Sequence, residues 1–127
     1  YGPGANTHRT PYGGRNFEYY SEDGFLAGEM GGIEVKGILS KGVDVVMKHF
    51  ALNDCEQDRL GQAAWVGEQA AREIYLKAFQ KSLEESGGNG IMTAYNPLGH
   101  QMVRLLQGTD DRHHAWRVGQ YGYVHHR

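Results

Sequence analysis

Two stripes of apolar residues at helical spacing alternate with two short apolar runs along this chain. Leu26, Met30, Ile33, Gly37 and Ile38 recur as one side of a helix, and Gly42 supplies a stop. Ser21, Glu22 and Asp23 put a capping side chain and two acids ahead of that stripe, where the free N–H groups of a helix start favour negative charge. Val43 to Phe50 is nearly continuous in apolar character, the pattern of a strand buried on both faces. A second helix is expected over 67–86, with Ala70, Ala71, Ile74, Tyr75, Ala78, Phe79 and Leu83 on one side. Glu73 with Lys77 and Lys81 with Glu85 make i,i+4 pairs on its other side. "SGGNG" (86–90) stops this helix, "IMTAYN" (91–96) reads as the next strand, and Pro97 and Gly99 close it.

Two long stretches interrupt the pattern. Residues 1–20 hold Gly2, Pro3, Gly4, Pro11, Gly13 and Gly14 among polar residues and read as a loop, as do residues 51–66. The order loop, helix, strand, loop, helix, strand predicts an α/β fold with parallel strands and helical crossovers. The strand-to-helix loops are long and the helix-to-strand turns short. In α/β barrels the long loops gather at the C-terminal strand ends, where binding sites are built. Lys48 and His49 follow Val45, Val46 and Met47 with no turn residue between them, so this fold would place them on the rim of such a site. Tyr95 and Asn96 would hold the same position on the next strand.

Composition narrows the picture. The 127 residues are 39% apolar and 22% charged with a net charge of −2, which disfavours a nucleic-acid binder or a basic membrane-surface module. The one cysteine, Cys55, reads as an inert small side chain, and nothing points to an oxidising compartment. No apolar run approaches the roughly 20 residues of a membrane span. The first residue is Tyr1 and no signal-peptide pattern follows it, so the expectation is an internal piece of a longer, cytoplasmic protein.

Character changes at His100. Residues 100–127 lack Lys, Glu, Ile and Phe, yet hold five of the seven histidines. Residues 1–99 carry a net charge of −4 and the tail +2, and the tail shows no helical or strand period. Histidine-rich tracts can bind metal. His113-His114 and His125-His126 are adjacent pairs, which face opposite ways on a strand, so no metal site is assigned. Codons compatible with His100–Arg127 can also be chosen so that a neighbouring frame spells "RGEWGSMGMFIT". A reading-frame change near Gly99–His100 is therefore the simpler expectation, and the gene sequence tests it.

The stretches "GPGANTHRTPYGGRNFEYYSED", "VMKHFALND", "EQAAREIYLKAF" and "IMTAYN" make residues 1–99 resemble glycoside hydrolase family 3, in particular its β-glucosidase group. The alternative frame resembles the family's following segment. The resemblance implies a slice of an N-terminal (β/α)8 TIM-type barrel in residues 1–99, with 100–127 an atypical tail. It implies retaining hydrolysis of β-glycosides from the non-reducing end, by a nucleophilic Asp and an acid/base carboxylate. Carried over residue by residue, Arg15 in "GRNFEYYSED" and Lys48 and His49 in "KHF" would donate hydrogen bonds to sugar hydroxyls. Tyr95 in "TAYN" matches an aromatic position near the nucleophile. The nucleophile and the acid/base residue would lie outside this chain, so no catalytic residue is assigned, and Asp110 and Asp111 do not match the nucleophile motif. No cofactor is implied. The substrate would be a β-glucoside or an oligosaccharide, with no nucleic-acid or membrane partner. A β-xylosidase, another family 3 exo-glycosidase, a non-catalytic sugar-binding module and a histidine-tail metal binder are the competing readings.

Several residues have plainer readings. Glu18 is expected to pair locally with a base, and Glu22 and Asp23 to serve the helix start. Asp54, Glu56 and Asp58 read as a solvated loop bordering the cleft. Trp65 is either a stacking platform for a sugar or a packing residue.

Overall fold

The computed structural model describes residues 1–88 and 90–99 in full, and the backbone of 101–102, 116–118 and 123–126. The first helix, α1, spans Gly24–Leu39. Asp23 caps it, its carboxylate accepting from the Leu26 N–H at 2.7 Å, while the Ser21 hydroxyl accepts from the Asp23 N–H one turn earlier. Gly42, at φ +73°, turns the chain beyond the last helical residue.

The buried face of α1 is not the predicted one. Gly24, Ala27, Gly28, Gly31, Gly32 and Val35 are buried, whereas Leu26, Met30 and Ile33 are exposed. Size decides this more than hydrophobicity does. Glycines let a second helix, α3 (Leu76–Ser86), approach until side-chain carbons would collide. A Cβ on Gly28 would stand 2.7 Å from Lys81 Cβ, and one on Gly31 would stand 2.6 Å from Ser82 Oγ. The Ser82 hydroxyl uses the space to donate to the Gly28 carbonyl at 2.9 Å. At Gly24 an added Cβ would run into the Ile74 carbonyl oxygen, a backbone atom that cannot swing aside. Gly24→Ala is therefore expected to cost about 1–3 kcal/mol, as overpacking does, read as a lower urea midpoint.

α3 is preceded by a short helix, α2 (Glu68–Ala70), and a π turn over Ala71–Tyr75. The expected stripe holds at Ala78, Phe79 and Leu83, which are buried with Ser82. Upstream it fails: Ala70, Ala71 and Tyr75 are half-buried and Ile74 is exposed. The wider turn shifts the angular phase, so residues spaced for an uninterrupted α-helix leave the core face. The expected Glu73–Lys77 pair gives way to Gln69, whose amide donates to Glu73. Lys81 does bond Glu85 at 2.7 Å, and it also pairs with Glu29 on α1, clamping the two helices. Gly87, at φ +71°, ends α3 by donating to the Leu83 carbonyl.

Strands β1 (Val46–Phe50) and β2 (Gly90–Thr93) are parallel, with Met47 opposite Ile91, and the α2–α3 stretch is the crossover between them. This is the predicted α/β arrangement. The register slips between Met47 and Phe50, where the Lys48–His49 and Phe50–Ala51 peptide bonds are cis. β1 is not buried on both faces throughout: Met47 and His49 are buried, Val46, Lys48 and Phe50 are half-buried, and Val43 is exposed before the strand begins. The first residues are not simply loop. The Ala5 N–H donates to the Lys48 carbonyl at 2.7 Å and the Lys48 N–H to the Pro3 carbonyl at 3.0 Å, so they line the free edge of β1. Glycine and proline are tolerated at such an edge.

Two-residue strands β3 (Pro97–Leu98) and β4 (Gln101–Met102) pair antiparallel. Beyond them, β5 (Trp116–Val118) and β6 (Tyr123–His126) extend the main sheet in the order β1-β2-β6-β5, with β6 antiparallel to β2. No strand was expected in 100–127. A free edge such as that of β2 offers unpaired backbone groups, which a segment can satisfy whatever its side-chain pattern. The rest of the tail reading, including His113-His114, lies outside the described residues. The core joins Ala27 and Val35 of α1, Val45 and Met47, Ala78, Phe79 and Leu83 of α3, Ile91 of β2 and Ala5. Among the described residues, no helix is long and apolar enough to cross a membrane.

Candidate functional site

The C-terminal end of β1 carries Lys48 and His49 toward the loop that holds Arg15. The three side chains meet. Arg15 Nη1 lies 3.1 Å from His49 Nε2 and 2.9 Å from Glu18 Oε1, and Lys48 Nζ lies 2.9 Å from Glu18 Oε2. One carboxylate thus bridges the arginine and the lysine. Glu18 pairs locally with Arg15, as expected, and also reaches Lys48 across the fold. Its partner on the far side of Arg15 is Glu56, at 2.7 Å from Nε, and Glu56 in turn holds Arg59 at 2.8 Å. The result is a chain of alternating charge, Lys48–Glu18–Arg15–Glu56–Arg59, all of it partly shielded from water.

Electrostatics follow from that arrangement. Burial alone would raise the Glu18 carboxyl, but hydrogen bonds from Lys48 and Arg15 hold it below its ordinary range. Glu56 is lowered too, against burial, by the Asn53 amide, Arg15 and Arg59. His49 is 8% exposed, and its pKa falls to about 4, first because burial penalises the charged ring and then because Arg15 and Lys48 repel a proton.

His49's tautomer can be argued from its neighbours. Arg15 can only donate, so Nε2 accepts and the proton sits on Nδ1. Nδ1 is 3.2 Å from the Tyr19 hydroxyl, which donates onward to the Asn53 carbonyl at 3.0 Å. The backbone is held as firmly: the Asn6 side chain donates to the His49 carbonyl at 2.9 Å and accepts from the His49 N–H at 2.8 Å. In this state both ring nitrogens are engaged within the protein, Nε2 by Arg15 and Nδ1 by the Tyr19 hydroxyl. Burial keeps the ring neutral and Arg15 selects its tautomer.

Tyr95 stands apart from the trio. Its ring is 60% exposed under the Arg59 guanidinium, 5.2 Å from it, and it connects with the trio through Arg59 and Glu56. Asn96 is buried rather than on the rim, its amide donating to the Ala51 carbonyl. Leu52, at φ +60°, turns the chain just after β1 and sets that carbonyl and the following Asn53 in place. Two residues read as solvated are not. Glu56 belongs to the ion chain, and Asp54 is held by the Thr7 N–H and hydroxyl at 3.1 Å each. Tyr19, Asn6 and Asn53 escaped notice altogether, because polar residues in Gly-rich loops carry no periodic signal. Among the described residues, no three His, Cys, Asp or Glu side chains cluster as a metal site.

The chain as a whole is similar to known proteins. Residues 1–107 match the glycosyl hydrolase family 3 N terminal domain, and the chain belongs to that family. It is 47% identical over 94 residues to a β-glucosidase of Ruminococcus albus, covering 74% of this chain and 10% of that protein. A thermostable β-glucosidase B of Acetivibrio thermocellus is 43% identical over 133 aligned positions, covering 99% of this chain and 18% of its own length. The chain therefore spans a small part of these relatives. Among solved structures, β-glucosidase 3B of Thermotoga neapolitana in complex with glucose superimposes with a TM-score of 0.79 at 45% identity, over 81% of this chain and 14% of that one.

Proposed function

We propose that this chain is the glycone-binding arm of a retaining exo-β-glucosidase, a slice of its (β/α)8 barrel. The observation that carries the reading is the convergence of Arg15, Lys48 and His49 on one side of the β1 end, tied together by Glu18. A sugar hydroxyl both donates and accepts. The site offers both: Arg15 and Lys48 donate, while the carboxylate oxygens of Glu18 and Glu56 accept. The paired carboxylates offset most of the cationic charge, so the site suits a neutral pyranose better than an anion. Charged donors make the stronger bonds, and those that tighten as the ring flattens toward an oxocarbenium ion lower the barrier as well as hold the substrate.

Tyr95 is proposed to pack near the sugar, with Arg59 fixing its ring. The carboxylates beside the trio are engaged by cations, so neither Glu18 nor Glu56 is assigned as nucleophile or acid, and the 127 residues are proposed to be inactive alone. The boundary near residue 99 and the reading-frame change behind the tail are likewise proposals, supported by the shift in composition there.

The test is a chimera in which residues 1–99 replace the matching segment of the A. thermocellus enzyme. Hydrolysis of an aryl β-glucoside is expected to survive the exchange. Arg15→Ala or Lys48→Ala in the chimera is expected to lower kcat/KM by about ten- to a hundredfold, the loss of one charge-assisted hydrogen bond of roughly 1.5–3 kcal/mol. Unchanged kcat/KM in both variants would rule the trio out as the glycone site.

A further inference from the structure

Behind the trio stands a tyrosine whose hydroxyl has one role open to it. Tyr19 is 6% exposed, and its ring lies against the bare backbone of Gly4, where an added Cβ would stand 2.8 Å from Cδ1 and 2.9 Å from Cε1. The ring is edge-on to His49, at 72° with centroids 6.4 Å apart. Its hydroxyl meets three groups. It donates to the Asn53 carbonyl at 3.0 Å, lies 3.2 Å from His49 Nδ1, and accepts from the Asn53 side-chain amide at 3.4 Å. A hydroxyl has one proton and two lone pairs. With its proton given to the carbonyl, Tyr19 has only a lone pair for Nδ1, so the hydrogen between them belongs to His49. Burial pushes the phenol above its ordinary pKa, which keeps the Tyr19 proton in place near neutral pH.

The proton on His49 is thus set from both sides of the ring. Which imidazole nitrogen carries it depends on the hydrogen bond that the other nitrogen makes. Here the bonds run in one direction: Arg15 Nη1–H to His49 Nε2, His49 Nδ1–H to the Tyr19 oxygen, and the Tyr19 O–H to the Asn53 carbonyl. The opposite tautomer would set an Nε2–H against the Arg15 N–H, donor against donor. The consequence falls on Arg15. Its Nη1 is shared between Glu18 and His49, and its Nε pairs with Glu56 at 2.7 Å. A guanidinium is a rigid, planar fork, so partners on two of its nitrogens fix where the remaining donors lie. Remove the acceptor at Nε2 and one side of that clamp opens.

We propose that Tyr19 is a positioning residue: its hydroxyl, anchored on the Asn53 carbonyl, holds the His49 proton on Nδ1, and His49 in turn orients the Arg15 guanidinium. The hold on His49 stands on geometry alone, whereas its effect on a substrate rests on the glycone-binding role proposed for Arg15.

The test has two arms. In the first, the full 127-residue chain labelled with ¹⁵N-histidine is read near neutral pH by long-range ¹H–¹⁵N NMR, which separates protonated from unprotonated ring nitrogens. The parent chain is expected to carry the His49 hydrogen on Nδ1. Tyr19→Phe keeps the ring against Gly4 and loses only the oxygen, and it is expected to move hydrogen onto Nε2. In the second arm, the chimera of residues 1–99 in the A. thermocellus enzyme carries the same change. Tyr19→Phe is expected to lower kcat/KM by about three- to tenfold, the worth of one neutral hydrogen bond, and to add little when Arg15 is already alanine, because the two changes act at one point. Hydrogen on Nε2 in the parent chain would overturn the proposal without any variant, and so would hydrogen remaining on Nδ1 in Tyr19→Phe. An equal loss from Tyr19→Phe with and without Arg15, or no loss where Arg15→Ala is impaired, would overturn it as well. A switched tautomer with unchanged kcat/KM in Arg15→Ala would remove the sugar role from Arg15 and uphold the grip of Tyr19 on His49.

Discussion

Replacing Phe79 with alanine is expected to remove about 3–5 kcal/mol of stability, the largest effect of any single change considered. Phe79 is 1% exposed and, among the described residues, is the largest fully buried side chain. Its ring meets that of Phe50 edge-on at 5.3 Å, so one residue ties the crossover helix α3 to the end of β1. Truncation loses the transfer free energy of the ring and leaves a cavity between a helix and a strand that cannot close independently of each other. A domain of this size has only about 5–15 kcal/mol to lose, so much of the population would unfold. Urea denaturation followed by circular dichroism checks this. The midpoint should fall by about one molar or more, whereas a midpoint within error of the parent chain would show that α3 is held by something other than this core.

Acidification is expected to have the next largest effect. His49 has a folded pKa of about 4 against 6.5 in the unfolded chain. Between those values the unfolded chain binds a proton that the folded chain refuses, so stability rises with pH there. The stabilisation is complete above pH 6.5, falls as pH drops toward 4, and is gone below that. The shift corresponds to on the order of 3 kcal/mol. Glu18 and Glu56 are lowered from their ordinary value of 4.5, so their contribution is present above that value and disappears as pH falls below it, steepening the loss at the acid end. Urea midpoints measured from pH 7 to pH 4 for the parent chain and for His49→Asn separate the contributions. The parent should lose stability across this window, and His49→Asn should lose much less above pH 4.5. Parallel curves for the two would mean that His49 is not held neutral.

What the residue pattern revealed and what it hid have physical reasons. The parallel pair β1 and β2 was legible because a βαβ unit repeats its signature locally, strand by helix by strand. The trio was legible because Arg15, Lys48 and His49 sit inside long, distinctive motifs. The inward face of α1 was not legible, because it is chosen by how closely α3 can approach, and glycine, scored as a helix breaker, is what permits that approach. The π turn at Ala71–Tyr75 left no mark in composition, so the upstream half of the second stripe was assigned to the wrong side. The supports of the site were hidden for another reason. Thr7 and Asp54 are 47 residues apart, and Arg15 and His49 are 34 apart. Contacts at such separations arise from the fold and leave no spacing to read. Asp54 and Glu56 consequently looked like ordinary loop acids, although one anchors the first loop and the other anchors Arg15.

The most direct measurement is a crystal structure of the chimera carrying residues 1–99, grown with glucose. The account predicts a single pyranose within hydrogen-bond distance of the Arg15 guanidinium and Lys48 Nζ, with His49 Nε2 still held by Arg15. Glucose bound with its hydroxyls satisfied elsewhere in the barrel, while Arg15 and Lys48 remain wholly engaged by Glu18 and Glu56, would contradict it.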